Sequence, residues 1–165
     1  DRIELGTYLI AAAIAGKKVI FLKIKPKIIK TEIKLLKKMG VKMKVEKNKI
    51  TVFESTKLNN INIKTEPYPG FPTDLQAQIM VMHVPELKRM GAKIITKKNV
   101  ALISGPTSLS GAEVMATDLR ASVSLVIAAL IADNRTVINR VYHLDRGYEN
   151  LEKKLKKFKA SIKRF

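Results

Sequence analysis

The sequence predicts an α/β fold of helices layered over mixed sheets, built from a βαβαββ-type unit used about two and a half times. Three observations carry this. Apolar helical stretches entered through an acid recur at 4–16 (ELGTYLIAAAIAG), 74–80 (DLQAQIM) and 118–133 (DLRASVSLVIAALIAD). The helix-to-strand junctions that follow align with one another: LLKKMGVKMKVE, ELKRMGAKIITK and KLKKFKASIKRF. The first two junctions continue into hairpins with Lys-Asn turns, EKNKITVF and KKNVALIS. Helices alternating with strands and hairpins exclude a helical bundle or an all-β sandwich.

The first helix opens on Asp1 with Glu4 three residues on, a capping-box pattern. KKVIFLK, rich in β-branched residues, follows as a strand. IIKTEIKLLKKMG then places Ile29, Ile33, Leu36 and Met39 on one face with lysines opposite, an amphipathic helix leading into the first hairpin. The second unit is approached through TEPYPGFPTDLQAQ, where three prolines and a glycine make a stiff, extended entry to a helix N-terminus. Thr73 and Gln76 repeat the capping pattern there. In the third unit Thr117 stands where Thr73 stood, so Arg120 takes the place of Gln76. A cation in the first turn opposes the helix dipole, which suggests that Arg120 is held there for another purpose. RTVINRV supplies the next strand, before the last amphipathic helix.

The units are expected at about 1–55, 60–105 and 108–165 of one domain, and their spacing exposes a defect. From Asp1 to Met39 is 38 positions, from Asp118 to Phe158 is 40, but from Asp74 to Met90 is only 16. The middle unit is therefore truncated by 22 to 24 residues near 80/81. Either those residues are absent from the polypeptide or they form a mobile segment left out between Met80 and Val81. A unit without its central strand leaves unpaired edges, which favours the second reading.

Composition narrows the chemistry. With no Cys there is no thiolate nucleophile and no Cys-ligated zinc, and His83 and His143 stand 60 positions apart, so no metal is expected. The longest apolar run, 123–132, is half of the roughly 20 residues a membrane span needs, and no leader pattern precedes it. A soluble, cytoplasmic chain without a membrane partner is expected. The net charge of +18 invites a nucleic-acid reading, but 25 of the 32 basic residues are Lys, and aromatics make up only 5%. The lysines fall on the polar faces of amphipathic elements, so a solvated basic surface is the simpler account.

Function-type residues concentrate at helix entrances: Asp1 and Arg2, Asp74, Asp118 and Arg120, and Asp145 and Arg146. Helix N-termini bind anions, and arginine forks match phosphate and carboxylate. Equivalent packing of the repeats would let these entrances converge on an anionic ligand. Structural readings stand beside this one. Asp118 could be only an N-cap, Asp145 and Arg146 a surface pair, and Tyr142 and Tyr148 packing residues.

At these loops the sequence resembles the enolpyruvyl transferase family. DRIELGTYLIAAAI, PYPGFPTDLQAQ, MHVPELKRMGA, LSGAEVMATDLRASVSL and YHLDRGYENLEKKL are all similar to the family's peptidoglycan-synthesis branch, in its order. The resemblance implies an inside-out α/β barrel-type domain of repeated βαβαββ units, of which this chain is the C-terminal-sequence half. It implies transfer of the enolpyruvyl group of phosphoenolpyruvate to the 3-hydroxyl of UDP-N-acetylglucosamine with release of phosphate, without a cofactor. Cell-wall biogenesis, and through it cell shape and division, is the implied process. Asp74 is then the candidate base facing the acceptor hydroxyl. Arg146 binds phosphoenolpyruvate, Asp118 and Arg120 line the cleft, and Asp1 lies near the hinge and site. The family's N-terminal part and the segment before MHVPEL are missing, so the chain alone is expected to be inactive. The alternatives are the shikimate-pathway sibling, or a non-catalytic fragment that binds anions or nucleic acid through its basic surface.

Overall fold

The computed structural model describes residues 1–55, 58–80, 84–98, 100–105, 107–157 and 160–165. The expected discontinuity at Met80–Val81, His83, the Asn99 turn residue and Phe158 lie outside them. The chain forms two compact units, one from residues 1–75 with 154–165 and the other from residues 76–153.

In the first unit, α1 (Arg2–Ala15) is capped by Asp1, whose Oδ1 accepts from the N–H groups of Ile3 at 2.7 Å and Glu4 at 2.8 Å. Glu4 does not complete a reciprocal box: its carboxylate accepts from Lys154 Nζ at 2.6 Å. α1 is apolar nearly all round, and it is buried from Gly6 to Ala13, as such a helix must be. β1 (Lys18–Leu22) follows, then a 3-10 turn (Pro26–Ile29) and α2 (Lys30–Lys38). Ile29, Ile33 and Leu36 are buried, while Lys30, Lys34, Lys37 and Lys38 face water. β2 (Met43–Glu46) and β3 (Lys49–Phe53) form the expected hairpin, and β1 pairs antiparallel with β3 to give the order β1-β3-β2. A 3-10 turn (Thr73–Leu75) ends the unit's first segment.

The second unit opens with α3 (Gln76–Met80) and α4 (Val84–Arg89), followed by the hairpin of β4 (Lys93–Lys97) and β5 (Val100–Ser104). The junction entering each hairpin is the same object repeated 51 residues apart. Gly40 N–H donates to Lys37 O and Val41 N–H to Leu36 O; Gly91 N–H donates to Lys88 O and Ala92 N–H to Leu87 O. Gly40 at φ 94° and Gly91 at φ 93° take the left-handed conformation this Schellman cap needs. β6 (Glu113–Met115) leads to α5 (Leu119–Ala129), and β7 (Val137–Asn139) pairs parallel with β6. α6 (Tyr142–Asp145) and α7 (Leu151–Lys156) close the order; residues 160–165 form no strand. Leu87, Met90, Ile94, Val114, Leu125 and Ala128 make this unit's core.

The N-cap of α5 differs from the sequence expectation. Asp118, not Thr117, is the capping residue: its backbone is extended (φ −149°, ψ 168°), and its Oδ1 accepts from Arg120 N–H and Ala121 N–H, both at 2.9 Å. Arg120 is therefore the second helical residue, and the side chain that satisfies the helix end is the acid before it. In each unit the fully apolar helix is buried, whereas the strands differ: β3 is buried from Ile50 to Val52, and β1 and β5 are largely exposed. Among the described residues no helix is long and apolar enough to cross a membrane.

Candidate functional site

Asp74 sits half-buried in the 3-10 turn of the first unit, and two devices fix that turn. Leu75, fully buried, lays its side chain against Gly6 of α1, where any Cβ would collide with it. The proline-rich approach is clamped from the helix side. Arg2 donates through Nε to Glu32 Oε1 at 2.8 Å, through Nη2 to the Gly70 carbonyl at 2.8 Å, and lies 4.8 Å from the Tyr68 ring centroid. Thr31 Oγ1 donates to the Pro69 carbonyl at 2.6 Å. Arg2, grouped by the sequence with the ligand-type residues at the entrances, is thus an internal clamp. Asp1 caps α1 from an exposed position.

The second unit holds Asp118, Arg120 and Arg146. The parallel pair β6–β7 determines where they fall, because the loops at the carboxyl ends of both strands run into helices. β6 ends at Met115, three residues before Asp118; β7 ends at Asn139, ahead of α6 and Arg146. The carboxyl ends of parallel strands are the customary ligand crevice of α/β sheets. Hydrogen bonds fix both strand ends. Met115 N–H donates to Glu86 Oε2 at 3.0 Å, Ala116 N–H to the Asn139 carbonyl at 3.0 Å, and Asn139 Nδ2 to Glu113 Oε1 at 2.8 Å. The two loops meet: a Cβ added at Gly147 would lie 2.6 Å from Leu119 Cδ2. Arg120 and Arg146 follow and precede those two residues, and both are exposed. The geometry therefore brings their loops together in one unit. Tyr148 is buried and Tyr142 exposed.

One residue in this region escaped the sequence reading. Arg140, exposed and directly after β7, is held at φ 57°. Strained non-glycine backbone of this kind clusters at functional sites. No signal in the sequence marks it, since only Gly, Asn or Asp would flag a left-handed position.

Buried apolar helices layered with sheets, and basic loops at the ends of a parallel strand pair, make an α/β architecture that is found in solved enolpyruvyl transferases. Two solved structures show the same architecture. The enolpyruvyl transferase NikO from Streptomyces tendae matches with a TM-score of 0.85 and 28% identity, over 99% of this chain and 44% of that one. The EPSP synthase of Acinetobacter baumannii, 17% identical, shares the fold with a TM-score of 0.72 over 94% of this chain and 45% of that one. The chain belongs to the EPSP synthase (3-phosphoshikimate 1-carboxyvinyltransferase) family, whose model matches residues 1–82 and 79–155. Among curated relatives it is similar to the UDP-N-acetylglucosamine 1-carboxyvinyltransferases of Pelagibacter ubique (56% identity over 99% of this chain), Rickettsia bellii (47% over 99%) and Histophilus somni (46% over 100%). The chain spans 44% of the length of each.

Proposed function

We propose that the chain supplies one side of the active cleft of a UDP-N-acetylglucosamine enolpyruvyl transferase acting in the cytoplasm, at the first committed step of peptidoglycan synthesis. The observation that carries this reading is the 56% identity, along 99% of the chain, to a relative bearing that name. It favours the sugar-nucleotide enzyme over the shikimate-pathway sibling. The remaining part of the enzyme is the partner that completes the cleft.

In this reading Asp74 accepts the proton of the sugar 3-hydroxyl as that oxygen bonds to the enolpyruvyl carbon, and phosphate leaves. The clamp of Arg2, Glu32 and Thr31 holds the approach to Asp74. Arg146 binds the anionic groups of phosphoenolpyruvate. Arg120, with Asp118 beside it, organises charge in the cleft. All four charged groups act by position, and half a cleft cannot assemble a transition state.

The test is phosphate release from phosphoenolpyruvate and UDP-N-acetylglucosamine. In the complete enzyme Asp74→Asn should lower kcat by about 10²- to 10⁴-fold, the usual loss for a general base. Arg146→Ala should chiefly raise the KM for phosphoenolpyruvate, because a charge-assisted fork is lost. The 165-residue chain alone should show no turnover. Full activity of that chain, or an Asp74→Asn enzyme with unchanged kcat, would refute the assignment.

A further inference from the structure

The two hairpin repeats differ by one strand. In the first unit β3 lies between β1 and β2; in the second, β5 pairs only with β4 among the described residues. Offsetting the repeats by 51 residues makes β5 the equivalent of β3, with Val52 matching Ile103 and Thr51 matching Leu102. Burial records what the added strand does. Val52 is 1% exposed where Ile103 is 46% exposed, and Thr51 is 6% exposed where Leu102 is 58% exposed. In the first unit Val19 stands opposite Val52 and Ile20 opposite Thr51, and α1 packs against β3, so β1 and the helix share that cover.

The comparisons locate the same shortfall. The family model matches in two stretches that meet at 79–82, and the Histophilus somni relative aligns over 186 positions with all 165 residues of the chain, an excess of 21. Only three residues separate α3 from α4, too few for the turn, strand and loop that join α1 to α2. Edge strands are normally blunted by Lys, Pro or a bulge. β4 carries Lys at both ends, but β5, VALIS, carries no charge.

We propose that the open edge of β5 accepts an extended strand from another polypeptide, added antiparallel as β1 is added to β3. The strand would be apolar at alternate positions, to cover Ile103 and Ala101, and acidic at its flanks. Main-chain bonding to an exposed edge with side-chain pockets on alternate residues is an established recognition mode. The acidic flanks follow from the surroundings: Lys93, Lys97 and Lys98 border the hairpin, and the chain carries +18. That charge also disfavours a second copy of the chain as the occupant.

The probe is a synthetic peptide, acetyl-EVIFLE-amide, which places the apolar core of β1 between glutamates. Titrated into the isotope-labelled 165-residue chain, it should produce saturable amide shifts at residues 100–104 and a change at the Ile103 methyls. Ile103→Lys should weaken binding at least about tenfold, the cost of about 1.4 kcal/mol of lost apolar contact. A peptide with Pro in place of its Phe should not bind, since it loses a ladder donor: with Glu54 N–H bonded to the Lys17 carbonyl, Val19 and Phe21 are the residues of β1 in hydrogen-bonded register with β3. The position is exposed, so the variant's remaining amide spectrum should be unchanged, which separates a lost contact from a lost fold. Absence of shifts at 100–104 up to millimolar peptide would overturn the proposal. So would equal binding of the Pro peptide, shifts confined to β4, or self-association through β5 without peptide. None of these outcomes depends on catalytic activity.

Discussion

Replacing Arg2 by Met is the sharpest perturbation of the loop that carries Asp74. Glu32 is 2% exposed, and its Oε1 receives both the Nε and the Nη2 of Arg2, the latter at 2.7 Å. Its Oε2 has no partner among the described groups. Met keeps most of the length of Arg2 and removes its charge, which leaves a buried carboxylate uncompensated. Breaking a buried pair in this way costs about 3–5 kcal/mol. The lost bond to the Gly70 carbonyl adds about 1 kcal/mol at most, and the contact with exposed Tyr68 adds about 0.5 kcal/mol. The total approaches the whole stability of a small domain, so Arg2→Met should shift the urea midpoint strongly or leave part of the chain unfolded. The partner test is decisive. In Arg2→Met/Glu32→Leu no charge remains to be buried, and replacing both members of a buried pair by apolar groups is often neutral. The double variant should recover at least about 2 kcal/mol over Arg2→Met, measured by urea unfolding followed by circular dichroism. An Arg2→Met chain that loses less than about 1 kcal/mol would refute the clamp, as would a double variant no more stable than the single.

The remaining predictions address the two helix ends and one surface carboxylate. Asp118→Ala removes the acceptor for Arg120 N–H and Ala121 N–H and should cost about 1 kcal/mol in urea unfolding, whereas Asp118→Asn, still a good cap, should cost little. Gly91→Ala forces a Cβ onto a residue at φ 93° and should cost about 1–2 kcal/mol; the added Cβ would meet only the Ser108 carbonyl oxygen, at an ordinary contact distance of 3.5 Å, so the loss is one of backbone strain and not of packing. Glu46 is held below its usual carboxylate range, chiefly by its hydrogen bond from Lys49 and further by the charge of Lys44. A carboxyl depressed in the folded state contributes stability above its unfolded value and loses it as pH falls through its folded value. Glu46→Gln should therefore flatten the acid limb of the stability curve by lowering stability slightly at neutral pH while leaving it unchanged at low pH, where the carboxyl is protonated; an unchanged limb would count against the Lys49 bond.

Most of the first unit was legible because its signals are local. The all-apolar run after Asp1, the Ile29–Ile33–Leu36 stripe and the Lys-Asn turn each specify an element from within a dozen residues, and each element forms. The clamp was not legible. It joins Arg2 to Glu32 and Gly70, 30 and 68 positions away, and Glu32 in a Lys-rich helix reads as one more surface charge. The cap of α5 was misplaced by one residue for a related reason. Repeat alignment transfers position, whereas capping is decided by which side chain reaches the free N–H groups, and Asp118 reaches two of them. The parallel pairing of β6 with β7 also lay beyond pattern reading. Each strand is three residues long, too short to show a period, and their pairing spans about two dozen positions.

That pairing explains how Arg120 is tolerated. A cation in the first turn of a helix costs about 0.3–1 kcal/mol through the dipole, while a capping Asp contributes about 0.5–2 kcal/mol and places a negative charge at the same end. With Asp118 on two N–H groups, the cap outweighs the arginine, and α5 needs no second acid to begin. Its eight buried residues from Ala121 to Ala128 anchor the helix from behind. The first turn is thus free to carry a residue chosen for something other than helix stability. Arg120 is exposed at the carboxyl end of β6, beside the loop that presents Arg146 at the carboxyl end of β7. Two exposed guanidiniums thus stand on a helix and a loop whose positions are set by buried contacts, which is the preorganisation that the proposed binding of an anionic substrate requires and that no isolated helix of this sequence would favour.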